Sequence, residues 1–581
     1  MGKRRFTEVW RVWAVMAAIV LATGVVTLRL VQLQIVDHAQ YAADARLIHY
    51  GQDTLADRRG ALLDRNGYPL AASEAAFNVM VEKRAWENPA EAQAAADSLA
   101  AVTDASAAEM LDIVRDTEAF EIPVVRGLNY GQGVAVRELG LYGVRLLEGS
   151  RRTYPEGNLA AQLLGFVGQE NSGLTGLEID LDSILGGNPG QVTYERDGIG
   201  NQLAFGARSE IPAQPGANVV LSIDRYIQRL AEQELDRAIS DSGAKGGTII
   251  VIQPETGQVL AMASRPTFDV TKPDLSDNSK QALFRNRAIT DIYEPGSVFK
   301  LVTMAAALDL GLVSPGTWWY DEGVVHVSDW SIYNWDHSAN GSQTVGQILS
   351  KSLNTGAVWL ATLCGATNFY DYVERFGFGV TSDSGLSGEV DGRVRTPDND
   401  PTGWRPVDMA TNSFGQGIAV TPLQMAMAVA AIANDGVLMK PQLVNEIVGP
   451  LGTQVVEPEA VRQVMSPETA RTLLDMMGVV VDGIPTAYVD VPGYSIGAKT
   501  GTANIATENG GYKPDAYISS LVGVAPLDDP EIAVLVKIDE PEGVPWGTVV
   551  AGPAFSRLIE QSLAYLKVPP TEEVLVSNLQ D

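Results

Sequence analysis

Cysteine, histidine and positive charge are all scarce in this chain. One cysteine, Cys364, stands among 581 residues, which excludes an intrachain disulfide and a CxxC metal knuckle. The burial habit of cysteine makes it a core thiol, and such sparse use fits an exported chain. The four histidines are His38, His49, His326 and His337. Neither HExxH nor His-x-His occurs among them, so the sequence offers no zinc-hydrolase motif, and no metal site is expected. His38 and His49 lie just past the long apolar run, which leaves few partners for a Ser-His-Asp triad. A nucleophile here needs a different base. Lys and Arg number 42 against 71 Asp and Glu, a net charge of −29. A surface that acidic repels phosphate backbones and argues against nucleic-acid binding.

Low-complexity tracts and internal repeats are absent too. Hydrophobic residues make up 45% and charged ones 19%, so the chain builds cores; at roughly 150 residues per domain it holds about three or four domains. Only one stretch is long and apolar enough to cross a bilayer. Val12–Leu28 is 17 residues without a charge. Trp10, Leu30 and Val31 extend it towards the ~30 Å of a bilayer core, and Arg29 is placed to snorkel. The following RLVQLQIV has no small-residue cleavage site, which predicts a retained anchor over 12–31 rather than a signal peptide. Lys3, Arg4, Arg5 and Arg11 against Glu8 give residues 1–11 a charge of +3, placing that tail in the cytoplasm and the remainder outside.

Residues 32–215 read as one region. Strand-like pieces over 53–83 and 120–215 flank one or two amphipathic helices over 91–117, and DRNG (64–67) is a tight-turn signature. Near 215 the texture changes to a strand, a long helix and a hairpin over 248–264 turning at Pro254–Gly257, which opens a second region at 216–567. Residues 568–581 are polar and read as a flexible tail.

Without histidine, a serine nucleophile is able to use a desolvated lysine on the same helical face, which S-x-x-K provides. The pattern occurs twice. Ser242–Lys245 runs into two glycines and reads as a loop, whereas Ser297–Lys300 follows Glu294-Pro295-Gly296 and opens a helical run that ends at Gly311. Ser297 thus sits at a helix N-terminus, where free N–H groups hold developing negative charge. Taken alone, this pair reads sooner as a serine N-cap beside a solvated lysine. S-x-N occurs three times, at Ser276–Asn278, Ser338–Asn340 and Ser352–Asn354. The last lies in a turn between two helical runs, suited to presenting both side chains to a cleft. Lys499-Thr500-Gly501-Thr502 occurs once, in a strand entered and left through glycines, where a substrate backbone has room to approach.

This ordered set resembles the penicillin-binding protein and serine β-lactamase superfamily, whose signature is S-x-x-K, S-x-N and K-[ST]-G. RRGALLDRNGYPLA, RTYPEGNLAAQLLGFVG and GLTGLE resemble the pedestal of class B penicillin-binding proteins, while EPGSVFK, SFGQGIAVTPLQMA (413–426) and AKTGTAN resemble their transpeptidase domain. The likeness covers about residues 10–566, and YEPGSVFKLVTMAAAL is more similar to the division branch than to the elongation branch. Val298 and Ala498 depart from the family's usual Thr and Gly, at positions without a chemical role.

The resemblance implies an α+β multidomain protein: a transmembrane helix, an elongated β-rich pedestal, and a transpeptidase domain with an antiparallel sheet flanked by helices. It implies that Ser297 attacks the penultimate D-Ala carbonyl of a peptidoglycan stem peptide and that Lys300 takes its proton. Bringing that lysine from ~10.4 to near 7 takes about 4 kcal/mol, which apolar burial and a nearby cation supply. Ser352 and Asn354 would relay the proton and hold the peptide; Lys499, Thr500, Gly501 and Thr502 would bind the terminal carboxylate. Backbone N–H groups of Ser297 and Thr502 would form the oxyanion hole. No cofactor is implied. The implied partners are stem peptides, β-lactams, a SEDS-type membrane glycosyltransferase and other division proteins, at a bacterial cell membrane crossed once. A D,D-carboxypeptidase or β-lactamase uses the same motifs with water as acceptor, and a non-catalytic division scaffold would need none of them intact.

Overall fold

The computed structural model describes residues 4–55, 57–197, 203–486, 488–507 and 511–571, and falls into two compact units. The first comprises the chain through Arg58, Ala76–Gly149 and Gly187–Pro215. Its N-terminal helix, Arg4–Val31, continues through a π-turn at Gln32–Val36. The stretch Val9–Val36 is long and apolar enough to cross a membrane and buries nothing against protein. A helix apolar all round needs lipid or protein on every side, and this one has no protein.

Residues 91–117 resolve into two helices, Pro89–Ala100 and Ala107–Asp116. Asn88 Oδ1 accepts from Ala90 N at 3.1 Å, with Pro89 at the first helical position, so the first helix has a defined start. Ala96, Leu99, Met110 and Val114 from this pair form one core with Val79, Val81, Ile122 and Val124. The stretch expected to be strand-like over 120–215 also contains a helix, Tyr130–Leu139. A capping box between Asn129 and Gln132 starts it and left-handed Gly140 ends it, a local signal that outweighs the strand pattern around it.

The second unit takes in Arg59–Ala75 and Ser150–Gly186 as well as the chain after Gly216, so the compact units do not follow the single break expected near 215. Two interactions explain this. Leu62–Leu63 pair in parallel with Val219–Val220. Glu178, fully buried, accepts from Arg59 Nε and Arg152 Nε at 2.6 Å each, tying the three pedestal-like motifs together. Buried carboxylates persist only where donors surround them, and here two segments distant from Glu178 in sequence supply them. The DRNG turn closes as expected: Asp64 Oδ1 accepts from Asn66 N at 2.9 Å and Tyr68 N at 2.8 Å.

The rest of this unit is built on a five-stranded antiparallel sheet. Its strands are β1 (Gly246–Gln253), β2 (Gln258–Arg265), β3 (Gly497–Ala506), β4 (Tyr512–Ala525) and β5 (Ile532–Asp539), in the order β2-β1-β5-β4-β3. Helices α1 (Arg225–Ser242), α2 (Lys300–Asp309), α3 (Asn354–Arg375, kinked at Gly365), α4 (Pro422–Ala433) and α5 (Gly552–Leu566) cover both faces. Successive strand residues point to opposite sides. Ile249, Val251, Val534 and Val536 therefore join a core with Leu235 of α1 and Phe555 of α5. Ile250, Ile252, Ala533 and Leu535 join a second core with Leu301 of α2 and Met425 of α4. Burial on both faces is why β1 reads GGTIIVIQ without alternation. Every residue of α4 is buried, which makes it the central helix of the second core. β3 is an edge strand, free to offer its outer backbone to a ligand.

Of the expected flexible tail, residues 568–571 are tied down: Tyr494 Oη donates to Val568 O and Thr571 N to Gly493 O, each at 2.8 Å. The remaining 572–581 lie outside the described residues.

Candidate active site

Ser297 sits in a 3₁₀ turn, Gly296–Phe299, that feeds α2, rather than at the first turn of the α-helix itself. The tighter turn follows from Gly296, which is left-handed (φ +61°) and donates from its N–H to Gly415 O at 3.0 Å, in the SFGQG segment. A Cβ at Gly296 would come within 2.9 Å of Thr502 O, so only glycine lets this turn lie against β3. Three residues on, Lys300 points back along the same face and its Nζ donates to Ser297 Oγ at 3.0 Å. Ser297 remains partly exposed, whereas Lys300 is 2% exposed among Val298, Phe299, Leu301 and Val302. The helix ends at left-handed Gly311 as the sequence predicts.

Ser352 lies between the short helix Val345–Ser350 and α3 with φ +55°, an uncommon state for a residue with a side chain. That conformation brings both its carbonyl and its hydroxyl to Lys300 Nζ, at 2.6 and 3.1 Å. Asn354 Oδ1 accepts from the same Nζ at 2.8 Å, and Asn354 Nδ2 donates to Tyr333 O at 3.0 Å. Lys499, 1% exposed on β3, reaches Ser352 Oγ at 3.0 Å and Thr500 O at 3.0 Å. The Thr502 hydroxyl lies 3.4 Å from both Pro545 O and Gly547 N. A Cβ on Gly501 would stand 2.5 Å from Ser520 Oγ and 2.9 Å from Pro295 O, the residue before the 3₁₀ turn. Glycine at 501 thus sets how closely β3 and the serine turn approach.

The rival motif matches go elsewhere. Ser242 closes α1 rather than lying in a loop, because left-handed Gly243 ends the helix only after it; its hydroxyl donates to Ala238 O, and Lys245 pairs with Glu540. Ser276 is exposed and bonded to Asp274. Asn340 donates to Asp321.

Electrostatically, two buried lysines converge on one serine, and among the described residues no carboxylate is a polar contact of either. Burial first, and then the positive charge of Lys499, hold the Lys300 amine well below the usual lysine range. Burial brings Lys499 down to about 7. The depressed Lys300 amine thus lies 3.0 Å from the Ser297 hydroxyl, within reach for proton transfer.

Sequence reasoning missed the groups behind Asn354. Asp321, Asn334 and Thr355 form a buried polar cluster next to it, assembled by hairpin pairing that no local pattern signals. It also missed Trp335 and Trp546, in edge-to-face contact at 5.4 Å; the first lies two residues beyond Tyr333 and the second between Pro545 and Gly547.

Residues 247–560 match the family model for the penicillin-binding protein transpeptidase domain, and residues 54–221 match that for the penicillin-binding protein dimerisation domain. The chain is 32% identical over 576 residues to stage V sporulation protein D of Bacillus subtilis, covering 97% of this chain and 87% of that protein. It is 30% identical over 575 residues to the peptidoglycan D,D-transpeptidase FtsI of Escherichia coli K12, covering 97% and 92%. The crystal structure of penicillin-binding protein 3 from Mycobacterium tuberculosis, complexed with aztreonam, superposes with a TM-score of 0.68 at 27% identity, over 90% of this chain and 99% of that one. The chain belongs to the class B penicillin-binding proteins, of the division type. The apolar helix at Val9–Val36 makes it a membrane-anchored member of that class.

Proposed function

We propose that this protein cross-links peptidoglycan stem peptides by serine acyl transfer, at the division septum, and that β-lactams block it by acylating the same serine. The observation that carries this reading is the convergence of Ser297, Ser352 and Asn354 on a buried, unpaired Lys300. Four oxygens lie within 3.1 Å of that amine. In its neutral form it donates to Ser352 O and Asn354 Oδ1, and its lone pair faces the Ser297 hydroxyl, whose proton it receives.

The steps then follow. Ser297 Oγ attacks the carbonyl of the penultimate D-Ala as its proton passes to Lys300 Nζ. Backbone N–H groups of Ser297 and Thr502 carry the charge on the carbonyl oxygen. The C–N bond breaks, the terminal D-Ala leaves with the proton returned through Lys300 and Ser352, and an ester to Ser297 remains. An amine from a neighbouring stem peptide attacks that ester, forms the new amide and restores the serine. Lys499, Thr500 and Thr502 hold the donor's terminal carboxylate beside Gly501.

Residues 1–11 lie in the cytoplasm and the catalytic region outside, with glycan strands polymerised by a SEDS-type partner and other division proteins assembled around the anchor. The region between anchor and catalytic domain, residues 32–215, serves as the pedestal. Full-length protein, lipid-linked precursor and such a polymerase should together yield cross-linked dimers. Shortened, uncross-linked stems alone would make the protein a carboxypeptidase.

A further inference from the structure

Asp321 ends a strand, Trp318–Asp321, that pairs antiparallel with Gly341–Thr344, and it is completely buried. A buried carboxylate needs either a cation or a full set of hydrogen-bond donors. No cation pairs with Asp321 among the described residues. Donors surround it instead. Oδ1 accepts from Gly323 N and Thr355 Oγ1, each at 2.9 Å. Oδ2 accepts from Asn334 Nδ2 at 2.8 Å, Asn340 N at 3.1 Å and Asn340 Nδ2 at 2.8 Å.

Two of these donors flank the site. Thr355 follows Asn354 at the start of α3, and Asn334 follows Tyr333, whose carbonyl holds Asn354 Nδ2 at 3.0 Å. Asn334 Oδ1 closes the circuit, 2.9 Å from Thr355 Oγ1 and 3.3 Å from Thr355 N. The backbone that carries Asn354 and the carbonyl that orients its amide are therefore both anchored on one carboxylate. With Nδ2 engaged by Tyr333, the amide oxygen is left to face Lys300 Nζ at 2.8 Å.

We propose that Asp321 is a positioning residue for acyl transfer, fixing the Asn354 amide so that its oxygen, and not its nitrogen, faces Lys300. The consequence is chemical. A reversed amide would point an N–H at the amine lone pair that must receive the Ser297 proton, and would compete with the hydroxyl for it. This inference rests on the reading that Ser297 is acylated with Lys300 as base.

The test is a pair of double-mutant cycles on the full-length protein, read as the limiting rate of acylation by a fluorescent penicillin. One cycle combines Asp321→Asn with Asn354→Ala, the other Asp321→Asn with Thr502→Ala. Asp321→Asn should slow acylation by about tenfold or more in the wild-type background and have little further effect once Asn354 is alanine, while its effect multiplies with that of Thr502→Ala. Should Asp321→Asn fail to fold, Thr355→Val, which keeps the volume and removes the hydroxyl, replaces it in both cycles. Effects that multiply in both cycles, coupling of equal size in both, or a wild-type rate for Asp321→Asn would overturn the proposal. A wild-type protein that does not acylate at Ser297 would overturn the underlying reading and the inference with it.

Discussion

Lys300 and Lys499 meet at a single hydroxyl: Ser352 Oγ lies 3.1 Å from the amine of the first and 3.0 Å from that of the second. Two ammonium groups sharing one small acceptor in a dry site repel each other, so the arrangement favours one charge rather than two. On the proposed mechanism Lys300, held down by burial and by the charge of Lys499, is the amine that acts as base, and Lys499 faces the substrate carboxylate.

Replacing Lys300 by methionine should abolish acylation, a loss of roughly a thousandfold or more, because the base is removed while the chain volume is kept. Circular dichroism should show an unchanged fold. Acylation of the variant at the wild-type rate would mean that another group takes the proton.

The pH profile carries a signed expectation. The acylation rate should fall as pH drops through the pKa of Lys300, since the protonated amine cannot accept. Lys499→Gln removes the cation that helps hold that pKa down, so the Lys300 pKa rises and the acid limb moves to higher pH. A limb that stays in place in stopped-flow measurements with a penicillin would show that Lys499 does not act on Lys300 through its charge.

Ser352 bears its left-handed backbone for the sake of its hydroxyl and carbonyl. Ser352→Gly tolerates φ +55° without strain yet lacks the hydroxyl. Its thermal midpoint should match or exceed that of the wild type, while acylation falls by about a hundredfold. Full activity in the glycine variant would remove Ser352 from the relay.

Gly501→Ala should cost both stability and activity. The added methyl would meet Ser520 Oγ at 2.5 Å and the Pro295 carbonyl at 2.9 Å, forcing β3 away from the serine turn, with a loss of about 1–3 kcal/mol. Denaturant unfolding together with acylation rates would reveal it, and a neutral result would contradict the close approach described above.

Glu178→Gln tests the fold apart from the chemistry. It leaves Arg152 buried without a carboxylate and Arg59 with Asp182 alone, a cost of about 3–5 kcal/mol, yet acylation per folded molecule should stay at the wild-type level. Equal stability of the variant would show that the junction is held by other contacts.

How much of this was legible in the sequence varies with distance along the chain. The Ser297–Lys300 pair is legible because it spans one helical turn, and the sheet hairpin because Pro254–Gly257 punctuates it. Choosing Ser352–Asn354 over Ser338–Asn340 needed the helical runs on either side; the structure shows why the choice matters, since Asn340 is spent on Asp321. Asp321 itself was invisible, because its donors come from residues 323, 334, 340 and 355, brought together by strand pairing and not by periodicity. The grouping of 59–75 and 150–186 with the later chain was hidden for the same reason: Arg59, Arg152 and Glu178 carry no mark of one another in the sequence.

The proposed chemistry turns on which serine becomes acylated. Full-length protein treated with benzylpenicillin, digested and mapped by mass spectrometry, should carry the penicilloyl adduct on the peptide containing Ser297 and on no other. An adduct on Ser242, or none at all, would contradict it.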